Sequence, residues 1–134
     1  MPTSPSAIHL VLLAILLFFA GAVLPMACGR RQRLAHVMGM AGALAGALAG
    51  LPAALLFLLT GQTEHVQPVW PGTGLQFALS VDALAAFFLL PVFLLVFCCA
   101  LYAHRYLDLP SRGGRAARHW FFFNVLAASM ALVV

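Results

Sequence analysis

Few side chains in this sequence could take part in chemistry, and the most unusual is Asp82, the acidic residue that touches a long apolar run. Ser80 is placed to cap the helix that follows, which would put Asp82 in the first turn, where negative charge meets the positive helix end. Because ionisable groups at membrane depth are costly and usually functional, a role for Asp82 near an ion path is the alternative. Glu64 and Asp108 fall in connections and are expected to be solvated.

Histidine and cysteine do not occur here in a metal-binding pattern. No two of the five histidines have i, i+4 spacing, and no cysteine is suitably spaced to join them. His104 and His119 share a connection with arginines and are expected at the membrane interface. Cys98 and Cys99 lie inside an apolar run and are expected to be small packing residues, with a redox or palmitoylated role as the alternative. No catalytic residue, cofactor site or metal site is predicted.

The elements that position these residues must lie in a membrane. The chain has 134 residues, of which 64% are hydrophobic and 7% are charged, whereas soluble domains carry about 25% charged residues. The net charge of +4 comes from arginines in two short clusters that flank apolar runs. With no aromatic and basic surface between those runs, the charge predicts membrane topology and no nucleic-acid partner.

Four apolar runs predict an all-α transmembrane helix bundle. Those at 8–27, 37–59 and 83–102 reach the roughly 20 residues that cross a bilayer core. The run at 120–134 would span only about 22 Å and is expected to be too short to cross. The first run follows a head without Lys or Arg, so a span is favoured over a cleaved signal peptide. We expect three complete spans and a truncated fourth.

The connections between the runs differ in charge. The first holds three arginines, the third holds four and the second holds neither Arg nor Lys. Because positive loops stay in the cytoplasm, the first and third connections are predicted to be cytoplasmic. The N-terminus and the second connection are then outside.

The second run contains regularly spaced glycines, and the second and third runs each contain a proline. Gly42, Gly46 and Gly50 recur every four residues, so one face of the second helix is nearly smooth and lets another helix approach closely. A packing face within a bundle is the favoured interpretation, and a homodimer motif is the alternative. Pro52 and Pro91 each remove a backbone donor inside a run. They are expected to shape the bundle, with a place along a transport path as the alternative.

Two stretches together resemble one family of membrane proteins. In LQFALSVDALAAFFLLPVFLLVFCCALYAHRYLD, residues 75–108, Asp82 precedes a long apolar helix that ends with Tyr102 and Tyr106. In WFFFNVLAASMALVV, residues 120–134, an aromatic start leads to Asn124 and an Ala-Ser-Met core with Ser129. The pattern resembles that of antiporter-like proton-translocating subunits. These include the L, M and N type subunits of complex I, hydrogenase-4 component B, formate hydrogenlyase subunit 3 and multisubunit cation/proton antiporters.

The resemblance implies that the chain is the N-terminal scaffold part of a longer subunit of a redox-driven complex, of the hydrogenase-4 or NADH-quinone oxidoreductase type. Such a subunit is a multi-pass, non-catalytic protein of the bacterial inner membrane with no cofactor of its own. Its partners would be the lipid bilayer, other membrane subunits and redox subunits carrying iron–sulfur clusters. A multisubunit cation/proton antiporter and a small stand-alone membrane scaffold are the alternatives.

The resemblance also implies roles for single residues. Asp82 would anchor the outer end of the third helix, and Tyr102 and Tyr106 would fix its cytoplasmic end. Asn124 and Ser129 would offer hydrogen bonds toward the channel helices. The Glu and Lys on which proton transfer depends in the family belong to later helices, and this sequence has no lysine.

Overall fold

The computed structural model describes residues 7–28, 31–61, 64–66, 79–107 and 116–134; within these ranges the side chains of 32, 64–66, 79 and 105–107 are not described. The described chain forms four helices and one short strand pair. These are α1 (Ala7–Ala27), α2 (Gln32–Thr60), β1 (Glu64–Val66), β2 (Leu79–Val81), α3 (Ala83–Leu107) and α4 (Ala116–Val133).

All four helices are long and apolar enough to cross a membrane, judged by length and composition. The predicted all-α class is therefore confirmed. The fourth run was predicted at 120–134, but α4 begins four residues earlier, at Ala116, and has 18 residues. At about 1.5 Å per residue it measures about 27 Å. The extra turn contains Arg118 and His119, which hydropathy excludes from a run but which a helix accommodates readily.

Helix α2 lies at the centre of the bundle and packs against α1, α3 and α4. Helix α4 packs chiefly on α1, whereas α3 packs chiefly on α2 and meets α4 only lightly. The core is built largely of alanines with a few large side chains between them, among them Phe18, Phe57 and Phe93. Small residues dominate because they let helix backbones approach closely in lipid.

The glycines of α2 mark where the neighbouring helices come closest. A Cβ added to Gly42 would lie under 3.0 Å from Gly21 of α1, and one on Gly46 would strike the ring of Phe18. A Cβ on Gly50 would strike the ring of Phe93 in α3. The predicted glycine face is thus occupied by helices of the same chain.

A left-handed glycine ends α2, and a strand pair follows. Gly61 has φ of +62° and donates its N–H to the carbonyl of Phe57 at 2.9 Å, which closes the helix. Beyond it, β1 and β2 pair antiparallel, with Glu64 opposite Val81. No strands were predicted in this connection, since strands of three residues leave little trace in a pattern.

Candidate functional site

Asp82 begins α3 as its N-cap. Its Oδ1 accepts the backbone N–H of Ala85 at 2.7 Å, and its carbonyl accepts the N–H of Ala86 at 2.9 Å. Ser80 lies in β2, so the expectation that Ser80 caps the helix and that Asp82 falls in its first turn is wrong. The side chain of Asp82 is exposed and satisfies a helix-end donor.

The polar residues inside the bundle gather at the opposite end of α3, in a group we call the polar cluster: His36, His104, Trp120 and Asn124. His36 of α2 lies between the other two rings, with His104 of α3 on one side and Trp120 of α4 on the other. The Trp120 indole N–H donates to His36 Nδ1 at 3.0 Å, and His36 Nε2 lies 3.3 Å from His104 Nδ1. The cluster therefore joins three helices through two side-chain hydrogen bonds.

The Trp120 bond fixes the proton positions in the cluster. An indole nitrogen only donates, so His36 Nδ1 must accept and carry no proton. Neutral His36 then carries its proton on Nε2 and donates it to Nδ1 of His104, which places the proton of His104 on Nε2. Because His36 Nε2 is protonated in this arrangement, it is a hydrogen-bond donor and not a free metal ligand.

Burial and ring contacts hold the cluster in place. Trp120 is 0% exposed and His36 is 9% exposed, whereas His104 is exposed. The rings of His36 and His104 stack with centroids 5.5 Å apart, and Trp120 meets His36 edge-on. The ring of His119 also lies edge-on to that of Trp120. The expectation that His104 and His119 belong to a connection is wrong, since they lie within α3 and α4.

Asn124 lies one turn deeper on α4 and is fully buried. Its amide nitrogen donates to the carbonyls of Trp120 at 3.0 Å, Gly39 at 3.1 Å and Gly21 at 3.3 Å. Two N–H hydrogens thus serve three acceptors on α4, α2 and α1. The Asn124 Oδ1 atom has no hydrogen-bond partner among the described residues and lies against the Cα face of Gly21.

A proline explains why Asn124 is needed at this place. Pro25 lies inside α1 and is buried, and it has no N–H to give to the carbonyl four residues back, which belongs to Gly21. The amide of Asn124 supplies the missing donor to this carbonyl. Close approach makes this possible, since Gly21 and Gly39 leave room where a Cβ would strike Asn124 and Trp120 respectively.

Tyr102, Ser129, Cys98 and Cys99 lie at exposed positions on α3 and α4. Tyr102 is 71% exposed on α3, and the side chain of Tyr106 lies outside the described residues. Ser129 is exposed on α4 and donates to the carbonyl of Leu126 at 2.8 Å. Cys98 and Cys99 are exposed on α3, so they are not part of the core that the described helices form.

Several cluster members had no distinguishing mark in the sequence. His36 becomes a neighbour of His104 and Trp120 only through the fold, because it lies 68 residues from His104 and 84 from Trp120. Pro25 was the available clue, since a proline inside an apolar run requires a donor for a nearby carbonyl. Within the ranges that the structure describes, no group of three or more His, Cys, Asp or Glu side chains could hold a metal ion.

No protein-family model matches this chain, and no curated protein is similar enough to count as a match.

Proposed function

We propose that this chain is the scaffold part of a proton-translocating membrane subunit, in a redox-driven complex of the hydrogenase-4 or NADH-quinone oxidoreductase type in a bacterial inner membrane. Its N-terminus is outside, and its arginine-rich connections are cytoplasmic. Redox cofactors belong to partner subunits. In this proposal the chain holds neighbouring helices in position, and ions move elsewhere in the complex.

The observation that carries the proposal is the position of Asn124. This residue belongs to the stretch that resembles antiporter-like subunits, and it is the fully buried polar side chain that ties α1, α2 and α4 together. Asp82, from the other such stretch, caps α3. Two residues of the resemblance thus have definite structural roles.

The scaffold role follows from what the helices contain. None of the four helices includes a Lys, Glu or Asp residue. A proton path through hydrocarbon needs ionisable groups that exchange protons in sequence, as in membrane pumps. Apart from histidines and arginines near the helix ends, the helices supply packed alanines and one buried amide, which suit a rigid support.

Proton pumping by the intact complex tests the scaffold role. Asn124→Leu keeps the branched shape and removes both donors, so coupled proton uptake into inverted membrane vesicles should fall while electron transfer by the complex continues. Met130→Leu, on an exposed part of the same helix, is the matched control and should leave uptake unchanged. Unchanged uptake in Asn124→Leu would remove Asn124 from the proposal.

Partners are tested by purifying the tagged chain from its own membranes in mild detergent. Co-purification of subunits with iron–sulfur clusters, identified by their EPR signals and by mass spectrometry, would support a redox complex. Recovery with cation/proton antiporter subunits alone, or recovery of the chain by itself, would refute it.

Orientation is tested with single cysteines in a background without Cys28, Cys98 and Cys99. Leu34→Cys and Thr60→Cys place exposed thiols near the two ends of α2. A membrane-impermeant maleimide added to intact cells should label the thiol at position 60 and reach that at position 34 only after permeabilisation. The reverse pattern would invert the proposed topology.

A further inference from the structure

We propose that His36 and His104 form a pH-sensitive junction, which ties α3 to α2 when both rings are neutral and opens when the pair takes up one proton. The proposal goes beyond the scaffold role and does not depend on it. It rests on the proton positions that the Trp120 bond imposes on the two histidines.

When both histidines are neutral, one placement of their protons gives a hydrogen bond to every ring nitrogen that faces another ring of the cluster. Trp120 donates to His36 Nδ1, and His36 Nε2 donates to His104 Nδ1. The remaining proton of His104 is on Nε2. The two hydrogen bonds therefore run in the same direction: the donor in α4 bonds to α2, and the donor in α2 bonds to α3. The third N–H, on His104 Nε2, ends the series.

An added proton cannot enter this arrangement without breaking it. On His104 Nδ1 it would point at the N–H of His36, and on His36 Nδ1 it would point at the N–H of Trp120. In either position a new N–H bond forms with a proton taken from water, and one hydrogen bond becomes a contact between two donors. Nothing is oxidised or reduced in this step.

The bond between α2 and α3 is the weaker of the two. Trp120 is completely buried and its indole would lose its acceptor inside the bundle, at the full cost of an unpaired buried donor. His104 is exposed, so its charged ring can turn toward water. Protonation therefore separates His104 from His36 and leaves the Trp120 bond intact.

None of the charged side chains that the structure describes at this end stabilises a positive pair. Among the described side chains, the charged groups at this end are Arg31 and Arg33 near the start of α2 and Arg118 on α4, all exposed and positive. Cys28 on α1 and His119 on α4 are the other titratable groups there, and Cys28 Sγ contacts Met38 Sδ at 3.3 Å.

On α3, the side chain of Arg105 lies outside the described residues. The carboxylate whose position is described, that of Asp82, lies at the other end of this helix. Opening at the junction would loosen the end of α3, because α3 has α2 as its main neighbour.

The test measures separation of the two helix ends in lipid nanodiscs. Spin labels at Val37→Cys and Leu101→Cys, both exposed positions next to the junction, are introduced in a background without native cysteines. Dipolar broadening of the EPR spectrum should be strong at pH 8 and be lost at pH 5, the interval in which histidine changes charge. Equal broadening at both values would overturn the proposal.

Two substitutions of His104 separate titration from packing. Asn has an oxygen bonded to Cγ where His has Nδ1, so His104→Asn keeps the acceptor and cannot be charged. It should stay broadened at both pH values, whereas His104→Ala should lack broadening at both. If the alanine variant does not fold, the comparison of His104→Asn with the parent decides, and loss of broadening in His104→Asn at pH 5 would overturn the proposal. His119→Gln should respond as the parent does, and a response that disappears with His119 would refute the junction.

Discussion

The pairing of Pro25 with Asn124 predicts a specific coupling between two substitutions. Asn124→Leu removes the donor that serves Gly21, and this should destabilise the bundle because the carbonyl is left without a partner. Pro25→Ala restores a backbone N–H four residues after Gly21, so the helix supplies its own donor. Asn124→Leu should therefore cost less when Ala occupies position 25.

The magnitude follows from the contacts. Hydrogen bonds between membrane helices are worth about 0.6 kcal/mol on average, and a buried group left unpaired costs about 1–3 kcal/mol. Asn124 serves carbonyls on two other helices, so we expect Asn124→Leu to lower the free energy of unfolding by about 2–3 kcal/mol. Restoring the Gly21 bond should recover about 1 kcal/mol.

The assay is reversible unfolding by SDS in mixed micelles, followed by far-ultraviolet circular dichroism. The four chains of the cycle are the parent, each single variant and the double variant, and the coupling energy is read from their differences. Pro25→Ala also loses packing, because Pro25 is buried, but that loss cancels in the cycle. A coupling energy near zero would refute the view that Asn124 replaces the missing donor of Pro25.

Three further predictions use the same unfolding assay. Gly42→Ala forces a Cβ into the backbone of Gly21 and should lower the free energy of unfolding by about 2 kcal/mol or more. The control, Ala41→Val on the exposed face of the same helix, should change it by less than about 0.5 kcal/mol. Equal effects of the two substitutions would contradict the close approach of α1 and α2. Asp82→Ala removes the cap of α3 and should lower the free energy of unfolding by about 1 kcal/mol. Asp82→Asn keeps the acceptor oxygen and should leave stability nearly unchanged. An equal loss of stability in the two variants would indicate that the charge of Asp82 matters. Gly61→Ala meets no neighbouring atom, yet should cost about 1–2 kcal/mol for its left-handed conformation, and a neutral result would mean that α2 ends differently.

Much of the fold could be predicted because hydrophobicity alone decides which segments enter a bilayer. The first run was predicted at 8–27, and α1 is Ala7–Ala27. Helix ends were less predictable, since Arg, Gln and His are compatible with a helix but interrupt an apolar run. For this reason α2 begins at Gln32 and not at position 37, and α3 continues to Leu107.

The polar cluster could not be predicted from the sequence, for a different reason. Its contacts between helices join residues 68 to 103 positions apart, and no local pattern records which helix faces meet. Asp82 and Asn124 could be singled out from the sequence because both are polar residues at or inside apolar runs. His36 did not stand out, because its importance comes from Trp120 and His104, which only the folded chain places beside it.

The bond between Asn124 and Gly21 also has a consequence for how the protein is made. The two residues are 103 positions apart, so at about 5–20 residues per second Gly21 is synthesised roughly 5–20 s before its donor. During that time the carbonyl of Gly21 has to be hydrated or held by the insertion machinery, since lipid tails offer it nothing. The native donor for this carbonyl therefore exists only after α4 has been made, although α1 is translated before it.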